Sequence, residues 1–440
     1  MRQPRTPAAL AALLLAGSCL AEPAAFQEPA PTADDLAHET LPANDGWGSF
    51  SSGTTGGSAA TADHVYTVTN RQELVSALAA AGTAPKIVFV SGTIDGNVDA
   101  NNAPLPCSAY EAPGYSLDAY LATYDPAVWG RVVPSGPLEN ARRASQANQQ
   151  ARVRITIPAN TTLFGLPGAT IAGANVRVNN TNNVIIRNVT FVDAHDCFPA
   201  WDPTDGAAGN WNAAYDNVSL LGATHVWIDH CAFTDGDNPD SSQPLYFGRP
   251  FQVHDGELDI TNGSDLVTVS WNRFVDHDKV MLIGSSDSST QDPGKLRVTL
   301  HHNVFANVVQ RTPRVRFGQV HVFNNFYQLP LPDAYGYSWG VGVQSQMFAA
   351  NNFFMAGAVA PGSFISRFNG TAIFASGTLV NGHSRHDRVD VVGEYNETHD
   401  PDLVPVVGWT PVLFDKLHPT QAVPGLVGHG AGPFADLVVP

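Results

Sequence analysis

The chain of 440 residues reads as an all-β solenoid, a parallel β-helix with long loops and a few short helices. Three observations carry that reading. Short strand segments recur from residue 153 onward: Val184–Phe191, Val226–Phe233, Leu266–Phe274, Leu296–Phe305, Val320–Tyr327 and Met347–Phe354. Each runs through alternating apolar residues and a polar pair to a closing aromatic, and the closing aromatics stand 42, 41, 31, 22 and 27 residues apart. The interval of 22 sets the length of a bare coil, and longer intervals add loops. Finally, Asn272, Asn303, Asn325 and Asn352 stand two residues before the closing aromatic in four consecutive repeats. Stacked coils place such residues above one another, where their amides bond along the stack and cap a tight turn.

Composition agrees. Hydrophobic residues make up 43% of the chain, enough for a large core, and 39 Gly and 32 Pro punctuate β-structure with turns. A formal net charge of −17 argues against binding nucleic acid, which needs Lys and Arg against phosphates. A polyanion could be held only by a local basic cluster or a bound cation.

From the N-terminus, residues 1–21 read as an export signal. Arg2 and Arg5 precede the short apolar run Ala8–Ala16, and cleavage falls after Ala21. The alternative is a lipoprotein anchored at Cys19, in Leu-Leu-Ala-Gly-Ser-Cys. No other segment is long and apolar enough to span a bilayer. Residues 22–46, rich in Ala, Pro, Asp and Glu, read as a flexible lead-in, and 47–440 as a single β-helical domain. Tyr66–Thr69 is a strand and 71–81 a short helix with Leu74, Val75 and Leu78 on one face. Lys86–Ile94 is a strongly apolar strand, and 101–150 a surface excursion with some helix. Export puts Cys107, Cys197 and Cys231 in an oxidising compartment. Cys197 and Cys231 close successive repeats, so a disulfide between them is one expectation and buried thiols the other.

The chemistry concentrates downstream. In an extended segment even spacings share a face, so Asp255, Glu257 and Asp259 point outward while Leu258 and Ile260 point inward. Asp216 lies 39 residues before Asp255, close to the repeat interval, and so falls on the neighbouring coil. Three close carboxylates repel one another unless a cation such as calcium neutralises them. Lys279 follows Asp259 by 20 residues, and Arg311, Arg314 and Arg316 crowd into six residues of a chain with only 23 Lys and Arg. Alternation sets Arg314 and Arg316 on one face with Val315 inward. His254, His277, His301, His302 and His321 lack the spacing of common zinc motifs and read as turn and hydrogen-bonding residues. No nucleophile-elbow or phosphate-loop motif occurs.

Trp227-Ile-Asp-His, His254-Asp-Gly-x-x-Asp259, His277-Asp-Lys, Ile283-Gly-Ser-Ser-Asp and Arg311-x-Pro-Arg-Val-Arg-Phe-Gly follow in that order. Together they resemble the secreted bacterial pectate lyases of polysaccharide lyase family one, from about Gly46 to the C-terminal region and most densely over 184–330. The resemblance implies a right-handed β-helix that cleaves polygalacturonate by calcium-dependent β-elimination. It implies Asp216, Asp255 and Asp259 as calcium ligands, Lys279 and Arg316 (with Arg314 beside it) as substrate-binding residues, and Arg311 as the base that takes the C5 proton. Crowding by calcium, Lys279 and Arg316 is expected to lower the Arg311 pKa. A monomer is expected, with no stable membrane partner unless Cys19 is lipidated. Neither 101–150 nor the acidic stretch 385–416 carries a motif that transfers. Three other readings remain open: a pectin lyase, which should lack the acidic triad; a polygalacturonase, which needs paired carboxylates but not Arg311; and a non-enzymatic β-helical surface protein.

Overall fold

The computed structural model describes residues 31–434, 437 and 438; the export signal, Cys19 and the first part of the lead-in lie outside them. Three parallel sheets of ten, nine and eight strands wrap around one apolar interior. Each repeat segment read from the sequence straddles a corner. Thr224–Asp229 belongs to the ten-stranded sheet and Ala232–Thr234 to the nine-stranded one, and the next coils divide in the same way. The residue before each ladder asparagine makes the corner: Trp271, His302, Asn324 and Asn351 all take positive φ, between 50° and 56°.

The asparagine column is a hydrogen-bonded ladder. The backbone N–H and Nδ2 of Asn272 both donate to Asn303 Oδ1 at 3.0 Å. Asn303 repeats this onto Asn325, and Asn325 onto Asn352. Each Nδ2 also reaches a carbonyl of the preceding coil, so these fully buried amides are satisfied. Beside them Phe233, Phe274, Phe305, Tyr327 and Phe354 stack at 4.2–5.1 Å between ring centres.

Cys231 occupies the same column position, and its backbone N–H donates to Asn272 Oδ1 at 2.8 Å. Its sulfur is therefore sealed inside the stack and free. The disulfide expected between Cys197 and Cys231 is not formed; Cys197 stands on the outside and pairs with Cys107. That bond fastens the 101–150 excursion, which folds into helices Leu117–Tyr124, Pro126–Trp129 and Pro137–Val153. Tyr120 and Tyr124 pack there against Trp201, Trp211 and Phe251.

Two further expectations are corrected. From residue 31 on, the lead-in is not a loose linker. Thr32 and Asp35 form a capping box on helix Ala33–Ala37, whose Leu36 packs against Phe89 and Phe164. Trp47 and Gly48 then donate their N–H groups to Thr299 and Thr268 on the ten-stranded sheet. A segment without periodicity is ordered here by contacts distant in sequence. Helix Arg71–Ala79 covers one end of the core with Leu74, Ala77 and Leu78, while Val75 faces solvent. At the other end helix Val391–Asn396 inserts Val391, Val392 and Tyr395.

Candidate active site

The site is assembled on one side of the eight-stranded sheet, from successive coils. Strand Leu258–Thr261 lies beside Val218–Leu221 with Asp259 opposite Ser219, and the Ser219 hydroxyl donates to Asp216 Oδ2 at 2.6 Å. Ahead of these strands a further row of bridges joins Gly256 to Lys279 and Lys279 to Gln310, which brings Asp255, Lys279 and Arg311 onto adjacent coils. Arg314 and Val315 pair with Leu282 and Ile283 on the coil below.

Alternation holds within the strands. Leu258, Ile260 and Val315 are fully buried, and Asp259, Arg314 and Arg316 face out. It fails just before Leu258. Glu257 does not point outward with its neighbours; it is fully buried, and neither carboxylate oxygen has a hydrogen-bond partner. The chain has not yet entered the strand there: the N–H groups of both Glu257 and Leu258 donate to Val280 O, so two consecutive residues turn the same way. Burial, with Asp235 and Asp276 nearby, pushes the Glu257 pKa well above its ordinary value.

Asp216 and Asp259 converge over Gly256. A Cβ on Gly256 would fall 2.7 Å from Asp259 Oδ1 and 2.9 Å from Asp216 Oδ1, so any side chain there would displace the two carboxylates. Gly256 N–H donates to Asp216 Oδ1 at 3.0 Å and Leu282 N–H to Asp259 Oδ1 at 2.9 Å. Burial and then the Asp255 charge push Asp216 up to about 6. Burial, Asp216 and Asp255 push Asp259 well above its ordinary value. Asp255 itself turns to Lys279, with Nζ 3.4 Å from Oδ1. The three carboxylates accordingly do not gather all their nearest oxygens within 4.8 Å of one another. Among the described residues the one grouping that tight is Cys107, His195 and Cys197, where the sulfurs are joined to each other. Even so, crowded, mutually raised carboxylates over a glycine fit a hard dication, which takes oxygen donors and cancels their repulsion.

Arg311 takes a positive φ of 64° and is followed by a cis peptide to Pro313. Its Nε is buried without a partner. Burial lowers its pKa, but the Asp255 charge, Tyr337 and the Asp259 charge outweigh that and hold it above the ordinary guanidinium value. The lowering expected from the sequence is therefore not found, and the shift runs upward. Arg314 lies over the Phe368 ring at 3.9 Å, and Arg316 is tied to Asp287 at 2.6 Å and to Gly284 O at 3.0 Å. Tyr337, Phe368 and Asp287 were missed as neighbours; only Asp287 sits in a segment the sequence singled out. His254 and His277 act as the hydrogen-bonding residues expected, beneath Asp255. His301, His302 and His321 lie elsewhere, on the ten-stranded sheet or at its corner.

A β-helix with acidic and basic side chains ranged along one face of its coils fits a polysaccharide lyase, and comparison with known proteins makes the class specific. A family model described as pectate lyase matches residues 23–107 and 135–393. Pectate lyase of Bacillus subtilis (strain 168) is 49% identical over 406 residues, covering 91% of this chain and 94% of the relative. Pectate lyase A of Dickeya chrysanthemi is 37% identical, covering 79% and 80%. Among solved structures, a pectate lyase bound to hexasaccharide superposes with a TM-score of 0.87 at 48% identity, over 92% of this chain and all of the other. A pectate lyase from Acidovorax avenae subsp. citrulli gives 0.84 at 31% identity, over 96% of this chain. The chain belongs to the pectate lyase family.

Proposed function

We propose that this lyase cleaves polygalacturonate at the groove formed by Asp216, Asp255, Asp259, Lys279 and Arg311, with calcium as its cofactor. The observation that carries the reading is the convergence of Asp216 and Asp259 over Gly256, two coils from a half-buried arginine, Arg311, whose Nε is buried without a partner. Calcium held by Asp216, Asp255 and Asp259 would supply positive charge to the substrate carboxylate and stabilise the carbanion-like state beside it. Lys279 and Arg316 place further positive charge along the groove, and Arg314 holds a second carboxylate of the polymer while its guanidinium rests on Phe368.

Arg311 is the proton acceptor. Asp255 and Asp259 help hold its pKa up, and calcium bound to them would offset that part, while burial, the largest single influence, pulls it down. The reaction is therefore expected to run best in alkaline solution. Arg311 takes the C5 proton, the C5–H electron pair becomes the C4=C5 double bond, the C4–O4 bond breaks with its pair going to O4, and O4 takes up a proton from solvent water. Hydrolysis by paired carboxylates gives no role to Arg311, and a methyl-ester-specific enzyme has no use for the acidic cluster.

The test is ultraviolet absorbance of the unsaturated product from polygalacturonate at alkaline pH, with calcium and then with a chelator. Product that the chelator abolishes supports the reading. Reducing ends without absorbance would overturn it. Arg311→Lys is expected to lower kcat by at least about 100-fold, the usual worth of a positioned base.

We further propose that the protein is exported and acts as a monomer. The Cys107–Cys197 disulfide supports an oxidising compartment. Among the described residues no helix is long and apolar enough to cross a membrane. Lipidation at Cys19 is the alternative, and mass spectrometry of the mature N-terminus decides between them.

A further inference from the structure

Asp259 is held by a strand, but Asp255 and Lys279 are not. Both lie in connections between strands, where isolated bridges join Gly256 to Lys279 and Lys279 to Gln310. Beyond these backbone bridges, a side chain also joins the two residues whose ammonium and carboxylate approach to 3.4 Å. That side chain is His277. Its Nε2 faces the carbonyl oxygens of both residues, Asp255 O at 2.9 Å and Lys279 O at 3.2 Å. Its Nδ1 faces Asp235 Oδ1 at 2.7 Å. Every partner is an acceptor, so the ring donates from both sides. The ring is buried, and so is Asp235.

Asp235 is anchored in turn. His254, the residue before Asp255, lies 3.7 Å from Asp235 and sits between Asp193 at 2.9 Å and Asp240 at 3.1 Å. Asp240 Oδ1 also accepts the backbone N–H of Val253 at 2.8 Å. A layer of acids and imidazoles thus underlies the groove, and His277 is the member that touches the backbone of two groove residues on different coils at once.

We propose that His277, held by Asp235, is a positioning residue that fixes the Asp255 carboxylate and the Lys279 ammonium relative to each other. The proposal rests on the calcium-dependent reading above. It differs from a packing role in one respect: what matters is the donor at the Nε2 position, not the volume of the ring.

Two substitutions separate these. In His277→Gln the terminal amide reaches to where Nε2 stands and can still donate to the two carbonyls. In His277→Asn the amide ends where Nδ1 stands, keeping Asp235 and abandoning the carbonyls. Calcium affinity by calorimetry on the purified chain, kcat and KM on polygalacturonate, and urea unfolding are read for each. Residues that orient metal ligands are typically worth about 10–100-fold in metal affinity or activity. His277→Asn is expected to weaken calcium binding by at least about 10-fold and to lower kcat more than it raises KM, with His277→Gln restoring most of both. If both variants lose stability alike while calcium affinity stays at the wild-type value, or if both lose affinity equally, the clamp is wrong. Should His277→Asn not accumulate folded, Asp235→Asn reads the same clamp from its other end, and wild-type calcium affinity there overturns it. A wild-type chain that binds no calcium would instead strike at the underlying function.

Discussion

Gly256 shows how closely the groove depends on single atoms. Gly256→Ala would drive a methyl against Asp259 and Asp216. Calcium affinity and activity should fall by at least about 10-fold with the fold intact, as calorimetry and circular dichroism would show. Its neighbour Glu257 makes the opposite case. A buried carboxyl without partners is a standing cost, so Glu257→Met should raise stability by about 1–3 kcal/mol in urea titration. Because the Glu257 pKa is raised in the folded chain, its destabilisation grows as pH rises above the ordinary carboxylate value, and the gain from Glu257→Met should grow with it. Coil spacing placed the groove residues near one another, but two-residue alternation made only the outward faces of Asp259, Arg314 and Arg316 legible, since Asp255, Lys279 and Arg311 lie in connections between strands. Glu257 was misread, since alternation applies only inside a strand and the chain enters that strand one residue later.

The ladder is the element on which the solenoid's register rests. Asn303→Ala removes the Oδ1 that accepts from Asn272 N–H and Nδ2. Each buried donor left unsatisfied costs about 1–3 kcal/mol, a loss that the denaturation midpoint should register. The Cys107–Cys197 bond closes a separation of 90 residues, and the double serine variant should lose about 2–5 kcal/mol. The strand repeats and asparagine column could be read in the chain because stacking forces identical positions to recur. The disulfide could not, because its partners lie on loops of unequal length, and Cys231 was hidden in the column by its non-asparagine identity. Helix Ala33–Ala37 escaped for a similar reason: its five residues are ordered by Phe89 and Phe164, far along the chain.

Taken over the entire molecule, histidines also join the chain ends to the stack. His301 faces Asp45 at 3.1 Å, His302 meets His301 at 2.8 Å, and His418 of the C-terminal arm meets His302 at 2.9 Å. Burial and the two neighbouring rings push the His302 pKa down to about 2, and burial pushes His321 to about 3. A histidine depressed on folding lends stability that is whole above its ordinary value of 6.5 and is lost as pH falls below it. Stability should therefore fall more steeply between pH 6.5 and 5 in the wild type than in His302→Gln, as urea midpoints across that window would show. The sequence marked His301 and His302 as turn and hydrogen-bonding residues, but nothing in it named Asp45 and His418 as their partners.

The coils that carry Asp216, Asp259, Lys279 and Arg316 sit in the interior of the stack, with further coils on both sides. A solenoid whose units touch only their neighbours can fray from its tips. Early loss of the outermost coils would then leave the groove whole. Catalysis should outlast hydrogen-exchange protection of Val65–Val68 and Ile373–Ser376 on warming, so that residual activity overstates how much of the chain is still folded.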